Sequence, residues 1–209
     1  MVVAERVLAS QPTGAKELLR ELTGRSAPVA LARDRLLPLI GAIAPMFPDG
    51  GLRRGSVVGV SGSLGLTLAV IAGPSQAGAW CAAVGIPSLG LVAAAEAGVD
   101  LARFPMIASP VKELPTIVAA LLDAFDVVLV RMPGPNRRLE ARARERGAVL
   151  VVDGPWPGAD VRLAVGSTTW EGLGDGHGHL VRRRLQVVAT GRGAATRERK
   201  EEVWLPSAP

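Results

Sequence analysis

Short apolar runs alternate with amphipathic segments through the middle of the chain. Continuous apolar runs bounded by glycine or turn residues predict buried strands, whereas apolar residues that recur every three to four positions predict helices. The predicted strands are 56–61, 80–84, 106–108, 127–130 and 148–152, and the predicted helices are 64–72, 89–97, 111–125 and 137–146. Because apolar strands alternate with helices, the pattern indicates an α/β protein whose mostly parallel sheet is flanked by helices.

The pattern changes after Gly154, where strands follow one another without a helix between them. The predicted strands in this part are 161–165, 180–189 and 202–205. We expect them to be antiparallel strands that extend the sheet at the C-terminal end. The glycine-rich segment 166–179 contains His177 and His179, the two histidines of the chain, and predicts a loop rather than a metal site.

The first 45 residues predict a short helical N-terminal arm, and residues 46–209 predict the core. Within the arm, Leu18, Leu19 and Leu22 have helical spacing and form one apolar edge that needs a partner surface, so they are candidate partner-binding residues. A second helix is predicted over 30–43, although a proline interrupts it. A turn-rich stretch then marks the boundary between arm and core.

Composition excludes several classes of protein. Hydrophobic residues make up 48% of the 209 residues, which is enough for a packed core and excludes a disordered chain. Cys81 is the single cysteine, so an intrachain disulfide and a cysteine-cluster metal site are excluded, and we expect Cys81 to be buried. The net charge of +5 permits a nucleic-acid or acidic protein partner without requiring one.

An uncharged stretch of 41 residues runs from Gly55 to Ala95. It is long enough to span a bilayer, but glycine and proline interrupt it repeatedly, so it predicts a buried strand–helix–strand unit and no membrane association. The N-terminus lacks the basic and then apolar pattern of a signal peptide. We therefore expect a protein of the reducing cytoplasm.

Residues 50–62 (Gly-Gly-Leu-Arg-Arg-Gly-Ser-Val-Val-Gly-Val-Ser-Gly) resemble the start of the nucleotide-binding core of RecA-type recombinases. In that family a GGL-x-x-G turn precedes the first core strand, which ends at the phosphate loop. The likeness continues at 97–101, 111–125, 127–130, 168–169 and 182–188. The resemblance implies a RecA-like core over about residues 46–205.

The phosphate loop of that family is changed in this chain. A phosphate loop has the pattern G-x-x-x-x-G-K-[ST], in which backbone amides surround the phosphates, the lysine neutralises charge and the hydroxyl holds magnesium. The equivalent residues here are Gly62, Ser63, Leu64, Gly65, Leu66 and Thr67, so the loop is two residues shorter and a leucine replaces the lysine. We expect this degenerate loop to bind no nucleotide cofactor.

Two acidic residues of such an ATPase are missing at the matching positions. Arg131 follows the strand 127–130, where the family has a magnesium-orienting aspartate, and the place of its water-activating glutamate falls near Ile86. The chain is therefore predicted to have no catalytic residues, no metal and no enzymatic activity. Asp153, after the strand 148–152, is an alternative magnesium aspartate, although an ordinary strand-end turn is the preferred interpretation.

Among degenerate RecA-like proteins, the chain most resembles the mycobacterial ImuA′ family. The residues that carry this resemblance are the degenerate loop, the turn 153–158, the strand start 182–185 and the end 204–206. The resemblance implies a non-catalytic accessory protein of the DNA-damage-induced mutagenesis (translesion synthesis) machinery. Its implied partners are ImuB, docked on the RecA-like core, and indirectly an error-prone replicative-type polymerase, in a cytoplasmic location with nucleoid association after DNA damage.

Other functions remain open on the sequence. Some cell-division inhibitors of the SOS response also use a RecA-like fold without nucleotide hydrolysis, and a true nucleotide-binding enzyme is a third alternative that the degenerate loop disfavours. Arginine-dense segments at 131–146 and 182–200 add a weak, salt-sensitive DNA-binding module, or weak contact with RecA, as further alternatives. The candidate DNA-binding residues are Arg137, Arg138, Arg142, Arg182, Arg183 and Arg184. A solvated helix face and strand edge would explain the same arginines.

The tryptophans divide into two groups. Trp80 lies in a predicted core strand, where packing explains it. Trp156 and Trp170 lie in predicted turns, where an exposed ring can anchor a partner, so both are candidate partner-binding residues.

Overall fold

The computed structural model describes residues 36–173 and 178–205 of the chain. The predicted apolar edge at Leu18, Leu19 and Leu22 therefore lies outside the described residues, as do His177 and the side chain of His179. No helix among the described residues is long and apolar enough to cross a membrane.

The described residues form ten strands and four α-helices. The strands are β1 (Leu36–Pro38), β2 (Gly51–Arg53), β3 (Val57–Ser61), β4 (Cys81–Val84), β5 (Met106–Ile107), β6 (Val127–Val130), β7 (Val149–Asp153), β8 (Val161–Leu173), β9 (Gly178–Gly191) and β10 (Arg199–Leu205). The helices are α1 (Leu64–Gln76), α2 (Leu91–Glu96), α3 (Leu114–Leu122) and α4 (Arg137–Arg146). Short 3-10 turns lie at Ala44–Met46, Leu101–Arg103, Val111–Glu113 and Gly193–Ala195.

Eight of the strands form one mixed sheet in the order β10–β9–β8–β3–β7–β6–β4–β5. The pairs β3–β7, β3–β8, β6–β7, β4–β6 and β4–β5 are parallel. The pairs β8–β9 and β9–β10 are antiparallel. This topology confirms the predicted α/β architecture, with a mostly parallel sheet flanked by helices and antiparallel strands added at the C-terminal end.

Two hydrophobic clusters cover the two faces of the sheet. One, which we call the α1 cluster, contains the buried residues of α1 and α2, and the other, the α3–α4 cluster, contains those of α3 and α4. β3 contributes to both, because Val58 and Val60 point into the first cluster and Val57 into the second. The central strands are apolar throughout because each is buried on both faces.

The predicted helix over 30–43 is wrong for the residues that the structure describes. Leu36–Pro38 is instead a strand that pairs antiparallel with Gly51–Arg53, and Leu37 is buried. The residue before a proline disfavours helical backbone angles, so Pro38 favours the extended conformation of Leu37. Ile43 is also fully buried in the α1 cluster, so the described end of the predicted arm packs on the core. The boundary at residue 46 stays a prediction.

The predicted loop over 166–179 is also wrong for most of its length. β8 continues to Leu173, and its pairing with β9 runs from Val161 opposite Gly191 to Leu173 opposite Gly178. The pairing register shifts between Val165 and Ser167 and again between Glu171 and Leu173. A glycine lies at each shift, and a β-bulge accommodates glycine, so the glycines that suggested a loop belong to irregular strand instead.

Candidate functional site

The parallel strands β3, β4, β6 and β7 all end at one edge of the sheet, which we call the carboxyl edge. Ligands of open α/β sheets bind at this edge, where the strand order reverses. In this protein the order reverses beside β3, because the chain continues to β4 on one side and later to β8 on the other. The degenerate loop, Arg131 and Asp153 all follow or end strands at this edge.

The degenerate loop forms the turn between β3 and α1. Ser63 is the N-cap of α1, and its Oγ accepts a hydrogen bond from the backbone N–H of Leu66 at 3.2 Å. Leu66 itself is fully buried in the α1 cluster, so its side chain points away from any ligand at the loop. The Thr67 hydroxyl lies 3.2 Å from the Ser63 carbonyl oxygen and 3.1 Å from Asp153 Oδ1.

Arg131 and Asp153 form an ion pair across the ends of the neighbouring strands β6 and β7. Arg131 Nε donates to Asp153 Oδ2 at 2.8 Å, and Nη2 makes a second contact with the same oxygen. Arg131 Nη1 donates to Ser88 Oγ at 3.2 Å, in the segment that follows β4. Asp153 is buried, so both of its oxygens are engaged by Thr67 and Arg131 rather than by solvent.

This pairing bears on the alternative role of Asp153 as a magnesium ligand. A guanidinium already neutralises its carboxylate, at the position where the family resemblance places a second acidic residue. Among the described residues, no group of three or more histidine, cysteine, aspartate or glutamate side chains is arranged to hold a metal ion. A magnesium ion needs several oxygen ligands, whereas this place offers the carboxylate of Asp153, which Arg131 already neutralises.

Arg183, from β9, covers the first turn of α1. Its Nη2 donates to Ser63 Oγ at 3.0 Å, and its guanidinium lies so close to Gly65 that a side chain at this position would displace it. The guanidinium also stacks on the Trp170 ring, with its Cζ 5.4 Å from the ring centroid. Partial burial lowers the pKa of Arg183 below its usual range. An arginine thus lies at the helix N-terminus, where the backbone amides of a phosphate loop would hold an anion.

The other candidate arginines of β9 lie on the opposite face of the strand. Arg182 pairs with Glu171 at 2.9 Å and Arg184 pairs with Glu202 at 3.5 Å. Both also stack on Trp204, with their Cζ atoms 4.5 and 5.6 Å from the ring centroid. Because side chains alternate along a strand, the three consecutive arginines cannot face one ligand together.

The candidate arginines of α4 differ from one another. Arg137 and Arg138 are exposed in the first turn and pair with no described carboxylate. Arg142 donates to Asp123 through Nε at 2.9 Å and through Nη2, and this hydrogen bond raises the pKa of Arg142. α4 packs on β7, on the same face of the sheet as α3. β9 is separated from β7 by the two strands β8 and β3. The six arginines therefore do not form one surface.

The predicted partner-binding role of exposed Trp156 is wrong, because this ring is buried. Trp156 is 1% exposed in the α3–α4 cluster, and its Nε1 donates to Glu140 Oε1 at 2.8 Å. Gly59 of β3 makes the space, since a Cβ there would lie 3.1 Å from the Cβ of Trp156. Trp170 is 50% exposed, and Trp80 packs edge-on against Phe125. Cys81 is buried, as predicted.

The sequence did not reveal the pairing of Arg131 with Asp153, nor the contact between Arg183 and Ser63. Each of these residues follows or lies in a recognised strand, but the spatial order of the strands was unknown. An arginine and an aspartate that each follow a buried parallel strand are the signal that could have suggested the pair.

These features define an α/β protein whose carboxyl-edge site is occupied by its own arginine side chains. The profile of the MT3502 N-terminal domain family matches residues 45–158, more than half of the chain, so the chain belongs to this family. An uncharacterized protein of Mycobacterium tuberculosis, Rv3395c, is 37% identical over 131 residues, which are 59% of this chain and 64% of that protein. The chain thus spans less than two thirds of the length of this relative.

Two solved structures are distantly similar. The flagellar accessory protein FlaH of Methanocaldococcus jannaschii has a TM-score of 0.47 and 11% identity, with 81% of this chain and 93% of that chain covered. SulA of Pseudomonas aeruginosa has a TM-score of 0.40 and 16% identity, with 47% and 98% covered. Neither likeness is close enough to assign a function.

Proposed function

We propose that this protein is a non-catalytic, RecA-like accessory protein of the DNA-damage-induced mutagenesis machinery, which acts as an interaction scaffold for ImuB. The resemblance to the ImuA′ family supports the partner. The observation that carries the non-catalytic role is the Arg131–Asp153 ion pair, together with Arg183 on the first turn of α1. These side chains take the positions that magnesium and phosphates would need.

Electrostatics at the carboxyl edge favour the closed arrangement. Magnesium at Asp153 would have to displace the Arg131 guanidinium and would then lie beside it, where two like charges repel. The first-turn amides of α1 could surround a triphosphate only if Arg183 left its place on Ser63, and the position of the missing lysine is taken by the buried Leu66. The Thr67 hydroxyl already lies within hydrogen-bond distance of Asp153.

An apolar groove beside this closed site supports the scaffold role. The groove has a volume of about 850 Å³ and lies between β5, the segment after β4 and the segment after β6. Its lining includes Met106, Val111, Met132 and Leu114, and it reaches Arg131. Met106 and Val111 are 38% and 64% exposed, and they lie together in this groove, so they present a contiguous apolar surface of the kind that binds a partner. We call this surface the β5 groove and propose that ImuB docks there.

Co-purification with ImuB tests this proposal. Val111→Glu places a charge in the β5 groove, and we expect it to lower the ImuB captured by the tagged full chain about tenfold or more. Leu101→Glu is the matched control, because Leu101 is a 41% exposed apolar residue outside that groove, and we expect normal capture. Unchanged capture by Val111→Glu would contradict docking in the β5 groove.

The same capture from DNA-damaged cells separates the alternative functions. Recovery of ImuB supports the proposal. Recovery of a tubulin-like division protein without ImuB would instead favour the cell-division inhibitor and would overturn the proposed partner.

A further inference from the structure

A second groove lies on the other face of the sheet, between α1, α2 and the β8–β9 hairpin. Its volume is about 450 Å³, and most of its lining is apolar. Ile40, Leu64, Leu68 and Ala93 line its floor and one wall, while Trp170 and Val181 line the hairpin side. Trp170 and Val181 are 50% and 58% exposed, so the groove presents large apolar side chains to solvent. We call it the hairpin groove.

The described chain begins close to this groove. Leu36 is the first described residue, and Ile40 lines the groove four residues later. The preceding part of the chain contains the apolar edge Leu18, Leu19 and Leu22. Thirteen residues lie between Leu22 and Leu36, and the fourteen Cα-to-Cα steps from one to the other reach about 46 Å when extended, which is ample to return to a groove near Leu36.

The charges around the groove match those around the apolar edge. Glu96 lines the α2 wall and Arg183 lines the hairpin wall, so one wall is acidic and the other is basic. On a helix through residues 15–22, Lys16 flanks the leucine edge on one side and Glu21 flanks it on the other, while Arg20 and Glu17 lie farther round on the same two sides. A helix in the groove can therefore face its basic side to Glu96 and its acidic side to Arg183.

We propose that residues 15–22 of this chain bind in the hairpin groove as a short amphipathic helix, with Leu18, Leu19 and Leu22 against Leu64, Leu68 and Val181. This is the helix-in-groove mode of recognition, with the ligand supplied by the same chain. Attachment to the core gives the segment a high effective concentration, so a short helix that would be marginal alone is held in place. The inference does not depend on ImuB as a partner.

Disulfide trapping in the full-length chain tests this proposal. Leu19→Cys is combined with Val181→Cys in a Cys81→Ala background, and we expect rapid formation of a disulfide within one chain. The matched control combines Leu19→Cys with Arg138→Cys, which is exposed on the opposite face of the sheet, and we expect it to link far more slowly. Disulfide-linked dimers would assign the groove to a second copy, and equal linking of both pairs would show no preferred site; either result overturns the proposal.

Hydrogen exchange gives a second test without new cysteines. Val181→Glu places a charge in the hairpin groove, and we expect the amides of residues 15–22 to exchange about tenfold faster than in the unmodified protein. Leu101→Glu is again the control and is expected to leave their exchange unchanged. Exchange of residues 15–22 that is insensitive to Val181→Glu would contradict the proposal.

Discussion

The two edges of the parallel sheet use arginine in different ways. At the edge where the strands begin, the amino edge, arginines are matched with carboxylates. Arg54 pairs with Asp126 at 2.8 Å, Arg192 pairs with Asp160 at 3.3 Å, and Asp123 holds two arginines of α4. At this edge the ion pairs join turns, strands and helices to one another, and therefore hold the fold together.

At the carboxyl edge, arginines outnumber the carboxylates that they meet. Asp153 is paired with Arg131, and Arg182 and Arg184 of β9 meet Glu171 and Glu202. Arg183, between them, is held by a hydroxyl and an indole ring instead. Arg137 and Arg138 pair with no described carboxylate. Positive charge without a matching carboxylate therefore remains at the edge where ligands of such sheets bind, although Arg131 engages Asp153 and Arg183 covers the first turn of α1.

The largest effect is expected from Asp126→Ala at the amino edge. This change leaves Arg54 without its partner, and their side chains are only 22% and 16% exposed. It also removes the acceptor of the Trp80 backbone N–H, which donates to Asp126 Oδ2 at 2.9 Å. We expect the free energy of unfolding, measured with urea, to fall by about 3 kcal/mol.

The control for this change is Asp49→Ala, which breaks an exposed pair with Arg53. Those side chains are 37% and 66% exposed, so we expect a loss of about 0.5 kcal/mol or less. Similar losses of unfolding free energy in the two variants would contradict a stabilising role for the buried contacts of Asp126 with Arg54 and Trp80.

A smaller and asymmetric effect is expected at the carboxyl edge. Arg131→Ala leaves the 9% exposed Asp153 side chain without its cation, and we expect a loss of about 2 kcal/mol in the free energy of unfolding. Asp153→Asn costs less, about 1 kcal/mol, because the 45% exposed Arg131 side chain can turn to water. A larger loss for Asp153→Asn than for Arg131→Ala in urea unfolding would contradict this account.

Paired and unpaired arginines of α4 are expected to differ in DNA binding. The weak DNA-binding hypothesis predicts that Arg137→Ala lowers the salt slope of single-stranded DNA affinity by about 0.7, the value for one phosphate contact. Arg142→Ala should leave the slope unchanged, because Asp123 already engages its guanidinium. Fluorescence anisotropy between about 50 and 200 mM salt measures both slopes. An equal change in both variants would contradict the division between paired and unpaired arginines.

The last effect, confined to alkaline pH, is expected at the amino edge. Burial, and secondarily the charge of Asp126, raises the pKa of the Cys81 thiol from 9.0 to about 12. The folded state therefore keeps the thiol proton that the unfolded state loses, so this contribution to stability is complete below pH 9 and declines as the pH rises toward 12. Urea unfolding midpoints of the unmodified protein should fall more steeply above pH 9 than those of Cys81→Ala. Equal pH dependence of the unmodified protein and Cys81→Ala would contradict a raised pKa of the Cys81 thiol.

Most of the central strands and helices could be predicted from the sequence, because a strand that is buried on both faces is an unambiguous apolar run. Val127–Val130 and Arg137–Arg146 have the predicted bounds. The extension of β8 was missed, since its glycines lie at bulges within a strand that is mostly exposed beyond Val165. Local pattern does not distinguish a bulged strand from a loop when no burial accompanies it.

The site was only partly predictable for a different reason. The missing lysine and the arginine at position 131 were visible in the sequence, but their consequences depend on which strands are neighbours. Only the order β3–β7–β6 brings Asp153 between Thr67 and Arg131. Trp156 was misjudged because a tryptophan in a turn looks exposed until the glycine that accommodates its ring, Gly59 of the adjacent β3, is known.

Isothermal calorimetry with MgATP titrated into the full-length protein measures whether the carboxyl edge binds a nucleotide. We expect no saturable heat up to about 1 mM nucleotide, because Arg131 holds Asp153 and Arg183 covers the first turn of α1. Saturable binding with a Kd below about 100 µM, lost when magnesium is removed, would contradict a closed site.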